Sequence, residues 1–143
     1  MALGICAPGC QAASGRIIKV LPFYLDRQGR VALSPSLFER DAYQAQLRLT
    51  PAECSGLRFD VEWKAKQAAK AQLTLRAEVL TAKTPKSQPM TVEQPVRAGR
   101  SWRRWTSLRL SGLAFREAAE LIAWRVTLWD ADRLVAEQKS FLW

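Results

Sequence analysis

The chain has 143 residues, of which 48% are hydrophobic, a length and composition that fit one globular domain with a packed core. Its 22 Lys and Arg residues outnumber 13 Asp and Glu residues, and the resulting formal charge of +9 favours anionic partners. The chain contains no histidine, which excludes a Ser-His-Asp triad, a Cys-His pair, a His-ligated zinc site and a histidine general base within these residues.

The cysteines point away from disulfide and metal frameworks. They are Cys6, Cys10 and Cys54, an odd number that cannot pair completely. A structural zinc site takes four ligands, mostly Cys and His, and this chain offers too few. We therefore expect neither a metal nor a cofactor.

Residues 1–15 are small, apolar and then polar, which predicts a truncated signal-like segment followed by a tether. The run Ala7-Pro8-Gly9-Cys10 resembles a lipobox, in which a small residue precedes a cysteine that becomes lipidated. The hypothesis is an envelope lipoprotein, anchored through Cys10, whose true start lies upstream. The alternative is the frayed N-terminus of a cytoplasmic protein.

Residues 17–25 are mostly apolar and predict the first strand. Pro22 cannot donate a hydrogen bond to a neighbouring strand, so this strand should lie at a sheet edge or contain a break. Residues 26–30 contain Asp26 and Gly29 and predict a turn.

Residues about 36–48 predict a helix. Ser36 can cap its N-terminus, with Glu39 three residues later as in a capping box. Pro51 follows the segment and ends it. The apolar residues recur at helical spacing, which predicts a stripe that packs on the core rather than a ligand groove. They are Leu37, Phe38, Ala42, Tyr43 and Leu47.

Strict alternation of apolar and polar residues predicts strands over 57–64 and 73–79. The connection 65–71 between them is long enough for a loose hairpin loop. Shorter strands are expected over 90–96 and 105–110, and a helical turn over 113–120.

The last residues predict a closing hairpin, with strands over 121–129 and 133–143. Asp130 and Asp132 flank its turn, and turn chemistry accounts for both without a metal or acid–base site. One face of the first strand should carry Ile122, Trp124, Val126 and Leu128. The terminal Trp143 predicts a packed C-terminus.

Together these patterns give about seven short strands and one inserted helix, which predicts an immunoglobulin-like or fibronectin-like antiparallel β-sandwich over residues 16–143. The Cys-Trp-Cys core of antibody domains is absent. Trp63 is expected to fill the corresponding core position.

The cluster Trp102-Arg103-Arg104-Trp105 is the strongest candidate for ligand contact, because Trp can stack on bases or sugars while Arg binds phosphate. On a strand, however, Trp102 and Arg104 face one way while Arg103 and Trp105 face the other. The alternative interpretation places one Trp in the core with an Arg over its exposed neighbour. Likewise, the dispersed Lys and Arg residues fit either a binding patch or the solvated face of a sandwich.

Five stretches are similar to a group of uncharacterised bacterial secreted proteins and lipoproteins. The resemblance implies an envelope location and a β-sandwich, and it carries no catalytic residues. The stretches are residues 16–33, 34–44, 55–64, 123–129 and 137–143.

We expect a non-catalytic, envelope-associated module for binding or assembly, with an envelope protein or an anionic polymer as its partner. A cytoplasmic location is the alternative. The second hypothesis is a basic nucleic-acid-binding module that uses Arg103 and Arg104. The third is an enzyme with a histidine-free active site.

Overall fold

The computed structural model describes residues 13–66, 72–85, 87–98, 103–116 and 120–143. The strands are β1 (Ser14–Asp26), β2 (Cys54–Lys66), β3 (Gln72–Thr81), β4 (Met90–Arg97), β5 (Arg104–Ser111), β6 (Leu121–Asp130) and β7 (Arg133–Lys139). The helix α1 (Leu37–Leu49) is followed by a 3₁₀ turn (Pro51–Glu53), and the single helical turn α2 (Leu113–Arg116) precedes β6.

These seven strands form two antiparallel sheets. One has three strands in the order β1-β2-β5, and the other has four in the order β4-β3-β6-β7. The predicted mainly-β sandwich is therefore confirmed, and so is the inserted helix, within one residue of the expected range 36–48.

The core lies between the sheets and is built by the alternation that the sequence shows. Phe59, Val61 and Trp63 of β2 point inward and are at most 1% exposed. The Trp63 indole Nε1 donates a hydrogen bond to Thr106 Oγ1 at 3.0 Å, so its one polar atom is satisfied. The Phe59 ring meets Trp124 of the opposite sheet edge-on, with centroids 6.4 Å apart. Trp63 thus fills the core as predicted.

The edge position predicted from Pro22 is confirmed, because β1 forms an edge of the three-stranded sheet. The pairing of β1 with β2 also shifts register between Ile17 and Lys19. An edge strand tolerates a residue without an N–H because one of its sides has no partner strand.

The predicted hairpin between the second and third strands is wrong. Strand β2 belongs to the three-stranded sheet and β3 to the four-stranded sheet, so the chain crosses between sheets at this point. Alternation shows which side chains of a strand are buried, but it does not show which strand is its hydrogen-bonding neighbour. The length of the connection after β2 fits a hairpin and a crossover equally well.

The closing hairpin is confirmed as β6 paired with β7. Its details differ in two places. A register shift against β3 turns Ile122 outward, where it is 47% exposed, while Ala123 is buried. Strand β7 ends at Lys139 rather than at the last residue, and Phe141 is 100% exposed.

Helix α1 packs with only part of the predicted apolar stripe, because Leu47 is buried and Tyr43 packs against the core while the other members do not. The apolar stripe was expected to reach the core, but Leu37 is 66% exposed and Phe38 is 83% exposed. The buried face carries the predicted Leu47 together with Gln44, a polar residue that the prediction did not include. Apolar spacing did not identify Gln44 as a buried residue. The helix covers an open edge of β1, and the backbone groups of that edge need hydrogen-bonding partners.

Gln44 supplies those partners. Its side-chain Nε2 donates to the carbonyl of Tyr24 at 2.9 Å and to that of Val31 at 2.8 Å. Tyr24 N donates in return to Gln44 Oε1 at 2.7 Å. One side chain therefore occupies both hydrogen-bonding groups of a residue on the free edge of β1.

A second attachment joins α1 to the end of β1. The Tyr43 hydroxyl donates to Asp26 Oδ2 at 2.7 Å, and Arg30 Nε donates to the same oxygen at 2.9 Å. The backbone N–H groups of Gln28 and Arg30 donate to Asp26 Oδ1. Burial by itself raises the pKa of Asp26, but these hydrogen bonds outweigh it and hold the pKa below its usual value.

The helix begins as the sequence indicates. Glu39 N donates to Ser36 Oγ at 3.4 Å, which satisfies one free amide of the first turn. In a full capping box the Glu39 side chain would accept from Ser36 N. Here Ser36 N donates to Ser34 Oγ instead, and the Glu39 carboxylate accepts from the Ser34 hydroxyl. Across the described residues, no helix has the length and apolar character needed to cross a membrane.

Candidate ligand-binding face

The outer face of the four-stranded sheet carries balanced charge. Arg76 lies 2.6 Å from Glu93, a cross-strand ion pair between β3 and β4. Arg125 lies 2.6 Å from Glu137 and 3.7 Å from Glu78. Cations and carboxylates alternate across neighbouring strands here, which is the ordinary arrangement of a solvated sheet face.

The tryptophan on that face is also covered. The Arg76 guanidinium carbon lies 4.9 Å from the centroid of the Trp129 ring. Trp129 Nε1 donates to Thr127 Oγ1 at 2.7 Å. Both the ring face and the indole N–H of Trp129 therefore have partners within the chain.

The outer face of the three-stranded sheet is different, and we call it the basic sheet face. Residues paired across antiparallel strands project to the same side of the sheet, so the register identifies its members. Lys64 pairs with Arg16, Glu62 pairs with Lys19 and with Trp105, and Arg58 pairs with Arg109. Arg103 joins this face through Glu62, 3.5 Å away. The basic sheet face consists of Arg16, Lys19, Lys64, Arg103, Trp105 and Arg109.

Two carboxylates partly offset this charge. Asp60 accepts from Arg58 Nη2 at 2.9 Å and from Ser107 Oγ at 2.7 Å, so both of its oxygens are used locally. Glu62 is engaged by Arg103.

Four cations of the basic sheet face have no ion pair with another described residue. They are Arg16, Lys19, Lys64 and Arg109. The face is consequently electropositive, whereas on the opposite outer face Arg76 and Arg125 are both paired with carboxylates.

Trp105 lies within this electropositive surface. It is 55% exposed, although tryptophan is among the side chains that gain most from burial. Its cross-strand neighbour Glu62 also contacts Arg103, which brings an aromatic ring, a carboxylate and a guanidinium to one side of β5. An open indole beside several cations can stack on a planar or ring-shaped ligand while the cations bind its negative groups.

The four residues predicted as ligand contacts are thus divided. Arg103 and Trp105 share the basic sheet face, as their alternation indicated. Arg104 pairs opposite Trp63 and borders a groove of about 380 Å³ between β4 and β5, together with Arg97. Trp102 lies outside the described residues.

The interpretation that put one Trp of this cluster in the core does not apply to Trp105, which pairs with Glu62, projects to the outer side of the sheet and is 55% exposed. The sequence search missed Arg16, Lys19, Lys64 and Arg109 as members of the same surface. Each alternates with apolar neighbours, which signals an outward position. Nothing in the local sequence shows that β1, β2 and β5 are adjacent.

A separate cleft of about 760 Å³ lies near the C-terminal end of α1, between the 3₁₀ turn and α2. Three arginines line it: Arg27, Arg48 and Arg116. Arg27 is already engaged by the carbonyl of Ala52, with its Nη2 at 3.2 Å.

Two potentially reactive side chains in this cleft are held protonated. Burial raises the pKa of the Cys54 thiol, whose Sγ donates to the carbonyl of Leu47 at 3.2 Å. Burial also raises the pKa of Tyr24, whose hydroxyl accepts from Leu121 N at 3.3 Å. A protonated thiol and phenol are poor nucleophiles and poor bases, so burial does not activate either group.

Within the described ranges, no group of three or more Cys, Asp or Glu side chains is placed to hold a metal ion. Cys10 lies outside those ranges, so the expected lipidation stays a prediction. Comparisons with protein-family models, with curated proteins and with solved structures found no match in any of the three.

Proposed function

We propose that this domain is a non-catalytic binding module that holds an extended anionic polysaccharide against the basic sheet face. The observation that carries the proposal is the half-exposed Trp105 among cations that have no ion pair in the described residues. Phosphate or carboxylate groups along the polymer would form ion pairs with those cations, and a sugar ring would stack on the indole.

The dimensions of the face support an extended ligand. Arg103, which directly precedes β5, and Arg109 within it are six residues apart, which corresponds to about 20 Å at about 3.4 Å per residue. The three strands are about 4.8 Å apart, so Lys19 on β1 lies about 10 Å across the sheet from Trp105 on β5. A surface of that length and width, with charge along it rather than in a closed pocket, suits a polymer better than a small molecule.

Single-stranded nucleic acid is the competing polyanion. Modules that bind it commonly stack successive bases on several aromatic side chains. The described part of this face offers one open indole, because Phe23 at its far end is covered by the guanidinium groups of Arg40 and Arg58. A single stacking position with dispersed cations favours a polymer that is recognised mainly by charge and by occasional ring contact.

The test is a titration of the full chain with a carboxylated or phosphorylated polysaccharide at low ionic strength, followed by calorimetry and by tryptophan fluorescence. We expect binding that weakens steeply as salt rises, since exposed charges are screened within about 8 Å at physiological ionic strength. A neutral polysaccharide of the same length should not bind. Absence of binding to the anionic polymer at low salt contradicts the proposal.

Two variants with the same change in net charge separate the face from overall charge. K19Q/R109Q removes two cations of the basic sheet face, and K83Q/K139Q removes two exposed lysines elsewhere. The first should weaken binding at least about tenfold and the second should leave it within about twofold. Equal effects, or tighter binding to a single-stranded oligonucleotide than to the polysaccharide, contradict the proposal.

The order of strands supports an immunoglobulin-like or fibronectin-like assignment for this module. Three strands in the order 1-2-5 and four in the order 4-3-6-7 support a seven-strand sandwich of this type. Such sandwiches serve many binding roles, so the assignment concerns architecture and the ligand is argued from the face alone.

We further propose an envelope location with a lipid anchor at Cys10, supported by the lipobox-like run that ends there. The chain would be expressed in a bacterial host with its native upstream sequence and labelled with a radioactive fatty acid. Label in the natural protein and its loss in C10S are expected. Unlabelled, soluble protein in both cases contradicts the anchor and leaves the polysaccharide proposal unaffected.

A further inference from the structure

The solvent-facing side of α1 carries an apolar stripe that has no partner within the described chain. Phe38 is 83% exposed and Leu49 is 82% exposed, and Ala42 and Ala45 between them are exposed as well. Their spacing of four, three and four residues places all four side chains within an arc of about 60° on the helix. Single exposed apolar residues are ordinary, but four aligned on one helix face with both large members open mark an interaction surface.

The helix cannot rotate to bury this stripe. Its opposite face is fixed by the hydrogen bonds of Gln44 to Tyr24 and Val31 and by that of Tyr43 to Asp26. Turning Phe38 inward would leave those buried polar groups without partners, which costs more than the exposed apolar area would gain. The stripe therefore has to be covered by something outside this fold.

Charges beside the stripe identify the occupant. Asp41 and Arg48 lie on the same flank of it, seven residues apart, and both are exposed. Asp41 is also 3.3 Å from its neighbour Arg40, and Arg48 also borders the cleft at the end of the helix, so both side chains are shared between these contacts and the flank. A two-fold axis that pairs two copies of α1 antiparallel places Asp41 of each copy opposite Arg48 of the other. The same axis sets Phe38 of one copy against Leu49 of the other, with Ala42 and Ala45 at the crossing, where small side chains let the helices approach closely.

We infer that the chain forms a homodimer through antiparallel packing of α1 on α1 of a second copy. A parallel pair would lose the reciprocal Asp41–Arg48 contacts, since the same flank would then face Gln46. The helix spans about 20 Å, and the contact lies at the small end of specific interfaces. The dimer should accordingly be reversible and dependent on concentration.

Sedimentation equilibrium of the full chain, with a thiol reductant to exclude disulfide-linked species, measures this directly. The mass should rise from that of the monomer towards twice that value as concentration increases through the micromolar range. F38E/L49E should raise the dissociation constant at least about tenfold without affecting folding, because both side chains are exposed. A monomer at every concentration overturns the inference.

The matched control is F141E/L142E, which places the same charges at two apolar residues of comparable exposure away from α1. It should dimerise as the natural chain does. If both double variants weaken association equally, the interface is not on α1.

A charge exchange tests the antiparallel register. D41R and R48D should each weaken the dimer, because each creates a like-charge contact across the two-fold axis. The double variant D41R/R48D should restore it, since the pairs are complementary again. Additive weakening in the double variant overturns the antiparallel assignment.

Discussion

The side-chain amide of Gln44 bonds both the N–H and the carbonyl of Tyr24, so a helix residue completes the hydrogen bonding of an edge strand. Edge strands expose unpaired backbone groups that promote aggregation, and natural sheets cover or interrupt them. Here the cover is α1, and its attachment is polar. Because this contact fixes the rotation of α1, Phe38 and Leu49 face outward, where the proposed dimer would use them.

Replacing Gln44 with Ala should destabilise the fold by about 3 kcal/mol, because it leaves buried backbone groups of Tyr24 without partners. Urea unfolding measures the change. The matched control is Q46A on the exposed face of the same helix, which should alter stability by less than about 0.5 kcal/mol. Equal effects of the two substitutions would show that the amide contact contributes nothing.

Acid should weaken the fold through Asp26. Its pKa is lowered from an unperturbed value of 3.8, so the contribution of its carboxylate is fully present above about pH 4 and is lost as pH falls through the lowered folded pKa. D26N should cost about 2 kcal/mol at neutral pH, and the gap to the natural protein should narrow below about pH 4. Thermal unfolding across this pH range tests it, with D132N at the exposed hairpin tip as the control. A gap independent of pH would contradict the assigned role.

Two tryptophans should respond differently to the same truncation. W63A removes a side chain that is 1% exposed and should cost about 4 kcal/mol. W105A removes one that is 55% exposed and should cost less than about 1 kcal/mol, while weakening polysaccharide binding. A large loss of stability in W105A would mean that this residue serves packing rather than ligand contact.

The sequence predicted the strands and the helix because burial alternation and capping are local signals. The inward positions of Phe59, Val61 and Trp63 follow directly from a period of two. Sheet membership is not local, which is why the connection after β2 was mistaken for a hairpin loop and why Lys19 and Arg109 were not grouped with Trp105.

The orientation of α1 was also beyond local reasoning. Apolar spacing identifies a face that should be covered, but not whether the same chain covers it. The deciding residue was Gln44, a polar side chain whose partner lies twenty residues away in sequence. At the candidate site, the surroundings of Trp105 depend on its pairing with Glu62 of β2, a neighbour that the local sequence does not show.

The most direct test of the central claim is an NMR titration of the full chain with a short anionic oligosaccharide, which follows backbone amides and indole N–H groups. We predict shifts that saturate at the Trp105 indole and at amides of β5 and neighbouring β2, with little change on the four-stranded sheet. Shifts centred on the cleft near Arg116, or no shifts at low salt, would contradict ligand binding on the basic sheet face.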